Sequence, residues 1–234
     1  MTLTLRRILD LITAALGLAL LSPVIILTAL AIWIESGRPI FFSQIRLGQS
    51  GRHFYIYKFR KFHKDSGSSD RPLTMTNDAR MTRLGRFLQK TKLDELPQLW
   101  NILKGDMSVV GPRPESLAFA DCFSGIYLRV LDYKPGIFGP SQIWFRDEDS
   151  LYRENADPER FYREVLFPLK ARIDLAYFPH RTISSDMAWI ARGVLAVLRW
   201  RSLPQPTASN MHQLESGIRP DGEALSEIRF KEHS

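Results

Sequence analysis

The 234-residue sequence predicts an α/β (α+β) fold, mainly helical: an N-terminal re-entrant membrane helix broken at Ser22-Pro23, a small β-hairpin, and amphipathic interfacial helices around a compact domain. Three observations carry this. Leu11 to Ile34 is apolar and uncharged. "IFFSQIRLG" and "HFYIYKFR" flank a Gln-Ser-Gly-Arg turn. Downstream, helical periodicities are punctuated by Pro and Gly. The expected organisation is a membrane helix over 1–38, one domain over 39–203 and a polar tail over 204–234.

The apolar run of about 24 residues is long enough to cross the roughly 30 Å hydrocarbon core of a bilayer. Pro23 lacks an N–H and should kink the helix, and Ser22 can bond a carbonyl freed there. Both flanks are basic, with Arg6 and Arg7 before the run and Arg38, Arg46, Arg52, Lys58, Arg60 and Lys61 after it. Lys and Arg favour the cytoplasmic side, so a helix that dips in and returns keeps both flanks there. An ordinary kinked span is the alternative. The run exceeds a signal-peptide core, and no small-x-small cleavage site follows it.

In the hairpin, Ile56, Lys58 and Arg60 share one face and Tyr55, Tyr57 and Phe59 the other. "KFHKDSGSSDRPLTMTND" reads as a loop. From Arg80 to Lys90 a helix is expected, with an apolar stripe of Leu84, Phe87 and Leu88 and a cationic one of Arg83, Arg86 and Lys90. "LDELPQLWNILKGD" is a short helix starting near Asp94, because Pro97 fits only a first turn and Gly105 fits the C-cap. "VVGPRPE" is a strand and a rigid turn, and "YKPGIFGPSQIWF" a Pro/Gly-shaped loop. "PERFYREVLFPLKARIDLAYF" is a helix broken near Pro168. "SSDMAWIARGVLAVLRWR" is amphipathic and suits an interfacial helix or a core-facing one.

The net charge of +7 suits anionic lipid or phosphorylated compounds, and the apolar run favours these over nucleic acid. The single cysteine, Cys122, excludes an intrachain disulfide and fits a reducing compartment. The five histidines are scattered without metal-ligand spacing.

Asp94 and Glu95 are the candidate chemical pair. At a helix N-terminus the macrodipole favours carboxylates and phosphate alike. An N-cap Asp94 would bond the N–H of Pro97, which has none, so the carboxylate would be left freer to react. Such a carboxylate beside cations can attack phosphorus, and its neighbour can hold Mg²⁺. Lys58, Arg60 and Arg113 are candidate phosphate clamps, and Arg86 a further substrate contact. The bland alternative is a capping Asp and a solvated Glu.

The stretches "RPIFFSQIRLGQSGRHFYIYKFR", "TRLGRFLQKTKLDELPQLWNILKGDMSVVGPRPE", "KPGIFG" and "PLKARIDLAYF", with the Ser-Pro break, make residues 5–200 resemble the bacterial sugar transferases, the monotopic polyprenyl-phosphate phosphoglycosyl transferases. The resemblance implies transfer of sugar-1-phosphate from a UDP-sugar to undecaprenyl phosphate with loss of UMP, the first membrane step of a polysaccharide or glycoprotein glycan. It implies that Asp94 forms a covalent phosphosugar intermediate and that Glu95 binds Mg²⁺. It also implies that Pro112, Arg113 and Pro114 help bind the nucleotide, and that Ser22 and Pro23 are the re-entrant break. Membrane lipid, downstream glycosyltransferases and a second copy of the chain are further candidate partners. The expected location is the cytoplasmic face of a bacterial inner membrane, without crossing it.

The sequence departs from the family pattern in four places. "KFRSM" is "KFRKF", an arginine five residues before the Asp is Gln89, the small residue two before it is Lys92, and "PGITG" is "PGIFG". A phosphate contact is therefore expected to be missing or moved to Lys90 or Lys92. Many relatives carry further transmembrane helices ahead of this domain; the minimal form is expected here. Two other function classes stay open at this stage: a catalytically degenerate membrane scaffold of a glycan assembly complex, and a basic protein that only binds anionic lipid or nucleic acid.

Overall fold

The structure, a computed structural model, describes residues 2–64, 66, 73–75 and 78–197. The expected tail, and Arg199, Trp200 and Arg201, lie outside these residues.

Helix α1 (Thr2–Ser36) contains Pro23 in its interior. The expected break is corrected in one respect: helical structure runs through Ser22-Pro23 without interruption. The local hydrogen bonding explains how. Pro23 cannot donate to the carbonyl four residues back, that of Ala19, and the Ser22 hydroxyl donates to it instead at 2.8 Å.

Both ends of α1 are held by the same body of protein. At the N-terminal end Arg7 donates from Nη1 and Nη2 to the carbonyls of Ile102 and Leu103 (2.7 and 2.9 Å). These belong to the last turn of α3 (Gln98–Lys104), where a cation is favoured. Buried Asp10 accepts from Ser108 Oγ and the Val109 N–H. At the other end Glu35 accepts the Leu84 N–H in the first turn of α2 (Arg83–Thr91), and Arg60 Nη2 donates to the carbonyls of Ser36 and Gly37. Between these anchors an apolar stripe faces outward: Ile8, Ile12, Leu16 and Leu20, then Ile26, Leu27 and Ile34.

Strands β1 (Phe41–Leu47) and β2 (His53–Phe59) form the expected antiparallel hairpin, with Phe42 opposite Lys58. Ser50 (φ 56°) and Gly51 (φ 72°) make its turn. Strand β3 (Ser108–Val110) falls where "VV" predicts it. The Pro/Gly loop holds a strand the sequence reading did not identify, β4 (Gly136–Phe138), parallel to β3. The two chains approach closely beside this ladder. A Cβ on Gly111 would lie 2.1 Å from the Lys134 carbonyl oxygen, and one on Gly136 would lie 2.1 Å from the Gly111 nitrogen. Gly111→Ala must push backbone apart, and we expect a loss of roughly 3 kcal/mol in unfolding free energy, read by denaturant titration in detergent. An unchanged midpoint would refute this close approach.

Helix α4 (Pro140–Trp144) follows at once. The break expected near Pro168 is a π-helical turn, Tyr162–Leu166, joining α5 (Pro158–Phe161) to α6 (Phe167–Tyr177). Helix α7 (Ile183–Val197) has its Trp189 buried against Tyr177. One core unites Ala14 of α1 with Ile56, Ile102, Trp144, Leu166 and Ile173; a smaller cluster joins Ile32, Phe59 and Leu88.

Candidate active site

Asp94 does not cap a helix. It lies in a 3-10 turn, Leu93–Glu95, entered through Lys92 in the left-handed conformation (φ 60°), and α3 begins only after Pro97. The expected register is therefore corrected. A 3-10 turn has about 120° per residue, so Asp94 and Glu95 still diverge, and Asp94 turns inward with 3% of its surface exposed. Its Oδ1 is buried without a hydrogen-bond partner. A buried unpaired carboxylate oxygen is costly and calls for a ligand or a reactive role.

Glu95 points to β2, where Lys58 Nζ donates to its Oε1 at 2.7 Å. Asn101 of α3 brings these two elements together. Fully buried, it donates Nδ2–H to the Tyr55 carbonyl (2.7 Å) and accepts the Tyr57 N–H on Oδ1 (3.0 Å), so α3 pairs with the edge of β2. The Lys61 segment is placed by backbone contact: the Thr82 N–H donates to its carbonyl, and only a glycine at 85 leaves room for that carbonyl.

A cavity of about 720 Å³ opens over the carboxylates. Lys58, Lys61, Lys92, Arg46 and Arg113 line its polar end. Behind them lies a buried network. Lys170 of α6 donates to Glu148 at 2.9 Å and stands 3.7 Å from Glu115 and 3.4 Å from the Tyr162 hydroxyl.

The charges tune one another. Burial pushes Glu95 up, but Lys58, Arg113 and Lys92 outweigh it and hold the carboxyl well below the usual range. Burial alone would weaken Arg113, yet Glu148, Glu95 and Glu115 raise it. Lys61 falls to about 8 through burial, with Lys58 and Lys92 adding to the fall and Asp94 opposing it.

Asp174, one turn beyond Lys170, rises to about 7 through burial, even though Ser141 donates to both its oxygens. The native side chain thus keeps a proton that the unfolded chain gives up near pH 4. Stability attached to this group is full below that value and falls as pH rises to about 7. Asp174→Asn is expected to flatten this part of the thermal-stability profile. An unchanged slope between pH 4.5 and 7.5 would show that another group titrates there.

Of the residues singled out from the sequence, Lys58, Arg60, Asp94, Glu95 and Arg113 reach this cavity. Pro112 and Pro114 do not line it; they are buried on either side of Arg113 and fix its course. Arg60 lines it but commits Nη2 to the end of α1. Arg86 is exposed outside it and donates to the Met81 carbonyl. Lys92 and Gln89 line it, whereas Lys90 is exposed. Sequence reasoning missed Arg46, Glu115, Glu148 and Lys170. The one available signal was "PLKARIDLAY", where Lys170 and Asp174 sit four apart on one side of a helix, with Arg172 between them in sequence.

A family model described as "Bacterial sugar transferase" matches residues 1–200. Among similar proteins, a UDP-N-acetylgalactosamine-undecaprenyl-phosphate N-acetylgalactosaminephosphotransferase of Aeromonas hydrophila is 40% identical over 141 residues, 59% of this chain and 33% of that protein. A UDP-glucose:undecaprenyl-phosphate glucose-1-phosphate transferase of Caulobacter vibrioides is 42% identical over 144 residues, 59% of this chain and 53% of that protein. One of the same name from Escherichia coli (strain K12) is 39% identical over 171 residues, 71% of this chain and 35% of that protein. The matches thus cover about half or less of each relative's length.

Proposed function

The chain belongs to the bacterial sugar transferase family, and from that footing we propose that it moves sugar-1-phosphate from a UDP-sugar to undecaprenyl phosphate, starting the synthesis of a polysaccharide or glycoprotein glycan. The observation that carries the reading is the buried, unpartnered Asp94 Oδ1 beside the Lys58–Glu95 pair, in a cavity ringed with cations.

Asp94 attacks the phosphorus that bears the sugar. A carboxylate-to-phosphorus bond forms, the diphosphate bond breaks, and UMP leaves with the bridging oxygen. An oxygen of undecaprenyl phosphate then attacks the same phosphorus. The aspartyl bond breaks, the carboxylate is regenerated, and undecaprenyl-diphospho-sugar is released. Lys58, Lys61, Lys92 and Arg113 offset the negative charge that would repel the attacking carboxylate.

The donor set fits Mg²⁺ held in part by substrate. Among the described residues no cluster of three or more acidic, histidine or cysteine ligands is present, whereas Asp94 has a free buried oxygen and Glu95 a strongly acidic carboxyl. One or two carboxylates with substrate phosphates suffice for this ion. Glu95 would be the ligand, and the ion, when bound, would neutralise phosphate charge.

We read α1 as re-entrant, with the chain on the cytoplasmic face of a bacterial inner membrane. Its two ends are anchored on one domain while its apolar stripe faces out, and a straight crossing would separate those ends by the membrane.

The test is nucleotide release. Protein in detergent with undecaprenyl phosphate, Mg²⁺ and a panel of UDP-sugars should release UMP with one of them. Folded protein that releases nucleotide from no nucleotide sugar would leave the scaffold reading in its place.

A further inference from the structure

The cavity over Asp94 continues well past the charged groups, into the space between α1 and α7. The two helices are tied near their N-termini by Arg6 Nε and Asp186 Oδ2 at 3.2 Å. Beyond that tie each turns one face to the cavity: Thr13, Gly17 and Leu21 from α1, and Ile190, Val194 and Val197 from α7. None of these six residues carries a charge.

Two glycines shape this end. A Cβ on Gly193 would lie 2.2 Å from Phe138 Cδ1, so only glycine lets the Phe138 ring lie against α7 as a wall of the groove. A Cβ on Gly17 would lie 3.2 Å from Leu99 Cδ1 on the opposite side. The groove reaches the surface: Leu21 is 36% exposed and Val194 44%, and Leu20 beside it belongs to the outward stripe of α1.

We propose that this groove holds the first isoprene units of the lipid acceptor and delivers its terminal phosphate to Asp94. The proposal rests on the function given above and adds where the lipid lies. The lining favours a chain that carries phosphate directly at its end, because the apolar side chains of α1 and α7 and the cations around Asp94 line one and the same cavity. A glycerophospholipid interposes a polar glycerol with two ester groups between its phosphate and its tails, and so would set ester oxygens where this lining is already apolar. Burial of branched hydrocarbon against Ile190, Val194, Val197 and Phe138 would supply the affinity. The rest of the chain would leave past Leu21 into the bilayer.

Val194→Trp tests this, since the side chain borders the groove without being enclosed in the core. The KM for undecaprenyl phosphate is expected to rise about tenfold, while the KM for the UDP-sugar does not move. Thr13→Trp, on the facing wall and exposed, should do the same, so that misfolding of one variant does not decide the matter. In parallel, a benzophenone-bearing farnesyl phosphate should photolabel peptides of α1 or α7 in the unaltered protein. Undecaprenyl phosphate should block the labelling, and phosphatidylglycerol should not. Labelling elsewhere, equal protection by phosphatidylglycerol, or an unmoved lipid KM in both folded variants would overturn the proposal. Failure of the function itself reads differently: no UMP from any donor, whatever the labelling pattern.

Discussion

Asp94→Asn should stop UMP release, with a loss on the order of 10³-fold or more, because an amide cannot form the phosphoryl bond on which both half-reactions depend. The substitution is close to isosteric and adds no volume to the turn over Leu93–Glu95. It places its change at an oxygen that bonds to nothing in the protein, so the fold should tolerate it. Unfolding temperature measured alongside turnover separates the two effects. Intact-protein mass after mixing with the UDP-sugar alone gives the more direct reading: the original protein should gain the mass of one sugar phosphate and the variant none. A variant that turns over at near the original rate would mean that the lipid phosphate attacks the donor directly, and the covalent step would have to be abandoned.

Glu95→Gln should be the second most damaging change. Glu95 stays ionised because Lys58, Arg113 and Lys92 more than overcome its burial. Removing its charge leaves these cations facing one another and takes away the proposed metal ligand. We expect turnover to fall by about 10²- to 10³-fold, the range seen when one fixed electrostatic contact is lost at a reacting centre. The dependence on Mg²⁺ concentration should shift to higher values. Retention of the original Mg²⁺ profile in a slowed enzyme would place the metal elsewhere and leave Glu95 only its pairing with Lys58.

Local features were legible in the sequence and convergent ones were not. The hairpin, the short strand before Pro-Arg-Pro and the Gly105 C-cap follow from periodicity, turn residues and left-handed backbone, all properties of a few neighbouring positions. The Asp-Glu pair could be named for the same reason. Its setting could not: α3 starts after Pro97, and the 3-10 turn before it depends on Lys92 taking a positive φ that lysine does not advertise. Arg86 shows the opposite error, because its cationic stripe is real but faces away from the cavity. Arg46, Glu115, Glu148 and Lys170 come from separate parts of the chain, and only tertiary packing makes them neighbours.

The Asn101 contact bears on how the protein reaches its working state. A two-stranded ribbon can slide, and a slip of one residue sends every side chain to the opposite face. Such a slip would turn Lys58 and Arg46 out of the cavity and leave Glu95 without its partner. Asn101 joins α3 to the backbone of β2 at the Tyr55 carbonyl and the Tyr57 N–H. Every strand residue offers such backbone groups, so these bonds set how closely β2 lies against α3, while the side-chain faces set the register. Asn101 therefore acts as a spacer, holding the strand that carries Lys58 at a fixed distance from the turn that carries Glu95, and breaking either bond would bury an unpaired amide group.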